Sequence, residues 1–163
     1  MSGRRDQIRM SDAEVRAFLD ESRTVTCATN GVRGWPHLMP LWFIVRQSGP
    51  QGSPELWAWT FAKSQKTRNL ERDPRATLQL EAGTEYHLLR GVMFETDVVI
   101  HRDHETVLGV GLDVFRRYAG GASGELAEEV AAMVARQAEK RVAFQFVERR
   151  RASWDHSKLG GVY

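Results

Sequence analysis

Apolar positions change period several times along this chain, and each change marks an element. Val15, Phe18 and Leu19 recur at helical spacing behind Ser11-Asp12-Ala13-Glu14, a Ser-x-x-Glu capping box, and predict a short amphipathic helix. Residues 24–29 then alternate or run apolar as a strand, Asn30-Gly31 supplies the positive φ values of a tight hairpin, and 35–45 continue as one long strand. Pro36 and Pro40 each remove a ladder donor, which puts that strand at an edge or a bulge and leaves backbone groups free for a ligand. Residues 48–54, dense in Gly, Pro and Ser, break the pattern before a third strand, Leu56-Trp57-Ala58-Trp59-Thr60-Phe61. A basic helix starts at Ser64 and stops at Asp73-Pro74, because a residue before proline is pushed out of the α region. A fourth strand follows over 76–80, then a turn at Gly83 and a long bent strand over 86–100, with Gly91 a kink or a point of close approach.

Helical spacing returns over 103–118 despite Gly109 and Gly111, and again over 125–140, with Gly120-Gly121-Ala122-Ser123-Gly124 as the connector. This helical pair, about 103–140, is inserted before a last strand that starts at Arg141 and continues to Trp154. The strands are joined by turns too short for parallel crossovers, and no Gly-x-Gly-x-x-Gly or Walker-type loop occurs. The expected fold is therefore mainly β (α+β), a closed or nearly closed antiparallel barrel with peripheral helices. At 163 residues the chain has the size of one compact domain, 1–163. The single cysteine, Cys27, excludes an internal disulfide and suits a reducing compartment. No stretch approaches the roughly 20 apolar residues of a membrane span, and the first ten residues are polar, so a cytoplasmic location without membrane attachment is expected. Twenty-three basic against 21 acidic residues leave a charge of only +2, which gives no reason to expect a nucleic-acid partner.

The densest chemistry lies between Trp59 and Arg75, where an aromatic strand hands over to a basic helix. Ser64 can cap that helix, whose first free N–H groups and positive dipole end attract an anion, while Lys63 and Lys66 add mobile positive charge. Cations at a helix N-terminus normally oppose the dipole, and this conflict favours a phosphate cradle over a merely solvated first turn. A phosphorylated cofactor fits such a cradle. Arg149-Arg150-Arg151, beside Trp154, either pairs with phosphates or carboxylates or is a solvated strand end. His101 and His104 have the spacing to share a metal, but Asp103 at a helix start is more simply a cap, and no metal is expected. Cys27 reads as a small core residue rather than a catalytic thiol. Trp42 has two readings, as a cleft wall or as packing inside the barrel.

The ordered combination of helix, Asn-Gly hairpin, Met39-Pro40-Leu41-Trp42-Phe43, aromatic strand and Ser64-Gln65-Lys66-Thr67-Arg68-Asn69-Leu70 resembles the pyridoxamine 5'-phosphate oxidase-like split-barrel superfamily over most of the chain. Asp73-Pro74-Arg75 and Ser153-Trp154-Asp155-His156-Ser157-Lys158-Leu159, with Lys66 to Leu70, are similar to the branch that uses the deazaflavin coenzyme F420. The resemblance implies a split β-barrel of the FMN-binding type and a homodimer. It assigns phosphate contact to Ser64 and Lys66, with Thr60 and Asn69 nearby and Lys63 a looser candidate. The ring system would lie along Pro40, Leu41 and Trp42, and Trp154 would either close over the cofactor from the partner subunit or anchor the tail. The implied activity is hydride transfer from reduced F420 to a small, partly apolar acceptor. FMN-dependent oxidoreduction and a noncatalytic flavin, haem or F420 carrier are the alternatives. Such chemistry needs no side-chain nucleophile, so catalytic residues stay unassigned, with Tyr86 and His87 as candidate proton donors. Flavin-using oxidases of the superfamily carry extra arginines around the phosphate, whereas this segment offers Lys63, Lys66 and Arg68 at most.

Overall fold

The structure, a computed structural model, describes residues 3–119 and 124–160, so most of the predicted 120–124 connector lies outside the described residues. A short helix that the sequence pattern did not predict, α1 (Arg4–Gln7), precedes α2 (Asp12–Glu21), which opens with both hydrogen bonds of the capping box. Strands β1 (Val25–Asn30), β2 (Pro36–Leu41), β3 (Ile44–Arg46) and β4 (Glu55–Phe61) follow. Helix α3 (Gln65–Arg72) comes next, then β5 (Arg75–Ala82), β6 (Arg90–His101), α4 (His104–Ala119), α5 (Glu128–Ala138) and β7 (Arg141–Asp155).

The strands form one seven-stranded antiparallel sheet in the order β2-β1-β5-β6-β7-β4-β3. Two consecutive strands, β2 and β3, therefore end on opposite edges of a curled sheet. The single strand expected over 35–45 is broken at Trp42-Phe43, because the chain must leave one edge and join the other. The Phe43 backbone finds its partners outside the ladder: its N–H donates to the Tyr118 hydroxyl at 3.2 Å, and its carbonyl accepts from Arg117 at 3.0 Å. The proline-bearing strand is an edge, as expected.

Two further boundaries differ from the sequence reading. Asn30 pairs with Pro36, so the hairpin loop is 31–35, and its left-handed residue is Gly34 (φ 83°) instead of Asn30-Gly31. The β5–β6 ladder begins at Ala82 and Arg90, and residues 86–88 form a 3-10 turn before it, held by the Leu88 N–H on the Glu85 carbonyl. The bend in the β6–β7 ribbon is a bulge: Glu95 faces Arg150 and Thr96 faces Glu148, leaving Arg149 as the extra residue.

Alternation along each strand builds two cores. Inside the curl, Val25, Cys27, Ala58, Leu78, Leu80, Val92 and Phe144 pack with Phe18 and Leu19 of α2 and Leu70 of α3. On the outer face of β3, β4 and β7, Trp57, Trp59 and Ala143 pack under α4 and α5 through Val107, Val110, Val114 and Val134. Gly111, a residue of low helix propensity, lets α4 lie this close: a Cβ there would stand 2.6 Å from the Trp59 ring.

Candidate functional site

Helix α3 is fixed to the end of β4 by its own first turn. Ser64 donates its N–H to the Phe61 carbonyl at 3.0 Å, and its Oγ accepts the Thr67 N–H at 3.4 Å as the N-cap. The buried Thr67 hydroxyl reaches back to the Phe61 carbonyl at 3.1 Å. Asn69, fully buried, donates its amide to the Thr29 hydroxyl at 3.0 Å and accepts from Gln65 at 2.9 Å. Asn69 is thus occupied as a strut between α3 and β1. Above this helix the sheet is split: β3 pairs only with Glu55, Leu56 and Trp57, so the rest of β4 ladders on its β7 side alone, and β2 is the other edge.

Lys66, in the first turn of this helix, is half-buried. Burial pushes its ammonium pKa below the ordinary lysine value, and the nearby Arg141 guanidinium pushes in the same direction. Arg141 opens β7 opposite Phe61, and its guanidinium lies 4.2 Å from the Phe61 ring centroid and 4.4 Å from that of Trp59. Its Nε is buried with no hydrogen-bond partner, and burial lowers its pKa too. Among the described residues neither Lys66 nor Arg141 has a carboxylate partner. Sequence reasoning missed Arg141. The rings over it, Trp59 and Phe61, belong to β4, so nothing near Arg141 in the chain marked it. Cys27, which also feels the Lys66 charge, is 1% exposed, and burial pushes its thiol up to about 12.

The remaining predicted residues sort by location. Leu41 is buried in the inner core, Pro40 is exposed on the β2 edge, and Trp42 is half-exposed, stacked on Tyr118 at 4.6 Å and edge-on to Phe115 at 6.5 Å. Trp42 is therefore a partly open wall backed by α4, not barrel filling. Thr60 is buried on β4 between Phe61 and Trp59, and Lys63 is exposed in the turn before α3. Trp154 is not brought to this group within the chain: it sits near the far end of β7 from Arg141, on the order of 40 Å of strand away. There it packs over Gly91, where a Cβ would overlap both its ring and the Leu80 carbonyl oxygen. Tyr86 and His87 share that remote end, with Tyr86 edge-on to His156 at 4.7 Å.

The other charged candidates are engaged. Arg149 pairs with Asp97, Arg150 with Glu95, and Arg151 with Glu148 and Asp12. His101 stacks on Trp57 at 5.0 Å and bonds Gln145, and Asp103 accepts the Thr106 N–H at 2.8 Å as the cap of α4.

Residues 11–154 match the pyridoxamine 5'-phosphate oxidase family. The chain belongs to that family. Within its split-barrel fold, a conserved hypothetical protein, Rv2991, from Mycobacterium tuberculosis is 42% identical with a TM-score of 0.83, covering 99% of this chain and 95% of that one. HutZ, the haem storage protein of Vibrio cholerae, shares the fold at 17% identity and a TM-score of 0.65, covering 87% of this chain and 94% of its own. An F420 reductase shares it at 20% identity and a TM-score of 0.61, covering 84% and 94%. No curated protein sequence matches the chain. Among the described residues no helix is long and apolar enough to cross a membrane.

Proposed function

We propose that this member of the pyridoxamine 5'-phosphate oxidase family is an F420-dependent reductase that passes a hydride from the reduced coenzyme to a small, partly apolar acceptor. The observation that carries the reading is the cradle itself: a capped helix start with two half-buried cations, Lys66 and Arg141, that no carboxylate of the described chain neutralises. Natural chains seldom bury unpaired cations without a use for them, and an anionic cofactor group supplies the missing charge. The residues present therefore fit a phosphate-bearing ring compound. Similarity of the 66–75 and 153–159 segments to F420-using members, and a fold shared with an F420 reductase, favour the deazaflavin over FMN.

Ser64 and Lys66 would hold the phosphate, and Trp42, backed by Tyr118 and Phe115, would bound the ring space beside Pro40. The coenzyme, when bound, supplies the hydride. The chain's own part is to fix the ring against the acceptor and keep water from between them. No side-chain nucleophile is needed. The far-end Trp154, Tyr86 and His87 would reach the site only from a second copy, which makes a cytoplasmic homodimer part of the proposal.

Parallel equilibrium titrations with F420 and FMN at matched ionic strength, read by tryptophan quenching, test the cofactor. Reduced F420 offered with enone, quinone and nitroaromatic acceptors then tests turnover. Tighter binding of F420 and oxidation of the reduced coenzyme by an acceptor are expected. Preference for FMN overturns the coenzyme assignment, and tight binding without any turnover makes the chain a carrier.

A further inference from the structure

We infer that Arg141, at the start of β7, is the second anchor of the bound anion and acts together with Lys66. The inference rests on the phosphate-cradle reading and extends it to a residue outside the strand-to-helix segment. Among the described residues two buried side-chain nitrogen or oxygen atoms lack a hydrogen-bond partner, Arg141 Nε and His37 Nδ1. Of the two, Arg141 lies near another cation without a carboxylate partner, since its charge helps to lower the Lys66 pKa.

The strand pairing explains how the two come together. Phe61 faces Arg141 across the β4–β7 ladder, and the Phe61 carbonyl receives both the Ser64 N–H and the Thr67 hydroxyl of the α3 start. Arg141 is thus one ladder rung from the cap of the helix that carries Lys66. The guanidinium lies over Phe61 and Trp59, which fixes its plane and bars water from that face. An arginine held in this way, with a buried N–H unspent, has the planar fork that recognises a phosphate by two parallel hydrogen bonds. Lys66 adds a point charge. A pair of positive charges suits a phosphate group, whether the monoester of FMN with about two negative charges near neutral pH or the diester of F420 with one.

The test compares each coenzyme with its own phosphate-free ring, so that contacts to the ring cancel. FMN is titrated against riboflavin, and F420 against its phosphate-free deazaflavin core, with wild type, Arg141→Met and Arg141→Lys. The pair whose phosphate-bearing member binds more tightly to wild type is used for the comparison. Arg141→Met is expected to weaken the phosphate-bearing member by about tenfold to a hundredfold while leaving the phosphate-free ring unchanged. Arg141→Lys should recover part of that loss, keeping the charge without the fork. Unfolding curves of each variant, matched to wild type, show that the fold is intact. Equal weakening of both ring compounds, no weakening of either, or a wild type that prefers neither phosphate-bearing compound overturns the assignment. A preference for FMN over F420 removes the deazaflavin reading and leaves the role of Arg141 standing.

Discussion

Arg117 and Arg141 both lie on aromatic rings, 4.4 Å from Phe43 and 4.2 Å from Phe61, and the chain uses them in opposite ways. Arg117 reaches from α4 to the carbonyls of Phe43 at 3.0 Å, Leu19 at 2.7 Å and Ser22 at 2.8 Å. It closes the C-terminal end of α2, where the dipole favours a cation, and holds the crossover between β2 and β3. Arg141 spends its Nε–H on nothing. Identical side chains on similar ring platforms thus separate a structural clamp from a cation left for a ligand, and the distinguishing feature is hydrogen-bond satisfaction.

Removing the two guanidinium groups is the widest break that can be opened between them. Arg117→Met takes the guanidinium donor from the Phe43, Leu19, Asp20 and Ser22 carbonyls at once, of which only that of Phe43 keeps the Tyr118 hydroxyl, and should cost about 3 kcal/mol in urea unfolding. Arg141→Met removes a partly desolvated charge with no partner and should leave stability within about 1 kcal/mol of wild type. Equal losses would erase the contrast. Tyr118 sharpens it from the side of the clamp, because its hydroxyl accepts the Phe43 N–H at 3.2 Å and donates to the Arg23 carbonyl at 2.7 Å. Tyr118→Phe should cost about 1–2 kcal/mol and, by loosening the crossover, move the fluorescence of Trp42, which stacks on that ring.

Lys66 belongs with Arg141. Its pKa is lowered in the fold, chiefly by burial, so its charged form costs stability at every pH below that lowered value. Lys66→Met should therefore unfold at the same or a slightly higher urea concentration at neutral pH, while binding of the phosphate-bearing coenzyme falls by about tenfold or more. A variant that folds and binds coenzyme as tightly as wild type would remove Lys66 from the site.

The strands, the capped basic helix and the two late helices were legible because period, proline, glycine and capping signals act locally. Ser64 could be picked out because it follows a local rule, as a helix cap, and Lys66 because it breaks one, as a cation at a helix start. Arg141 could not, since its meaning depends on a ladder partner, Phe61, that is 80 positions away in the chain. The break at Trp42-Phe43 was hidden for the same reason: the groups that replace the ladder bonds, Arg117 and Tyr118, come from a distant helix. Asn69 was singled out by resemblance as a neighbour of phosphate, and only its two hydrogen bonds identify it as a strut.

A second lysine gives the smallest and most pH-specific test of the contrast. Lys158 Nζ donates to Glu14 at 2.7 Å and to the Arg9 carbonyl at 2.8 Å, so unlike Lys66 it is paired. That bond, with those from the Ser11 N–H and hydroxyl, holds the Glu14 carboxyl down to about 2 from its ordinary 4.5. A carboxyl depressed in the folded state contributes stability that is full above 4.5, declines as the pH falls, and is gone once the pH passes below about 2. Lys158→Met should flatten the stability profile inside that window and leave its shape above it unchanged, whereas Lys66→Met should leave the acid window as it is. The pair is half-exposed, so the difference is small, and urea midpoints taken across the window at low salt are the way to see it. An unaltered acid profile in Lys158→Met would mean that Ser11 alone holds the carboxyl, and that pairing is not what distinguishes the two lysines.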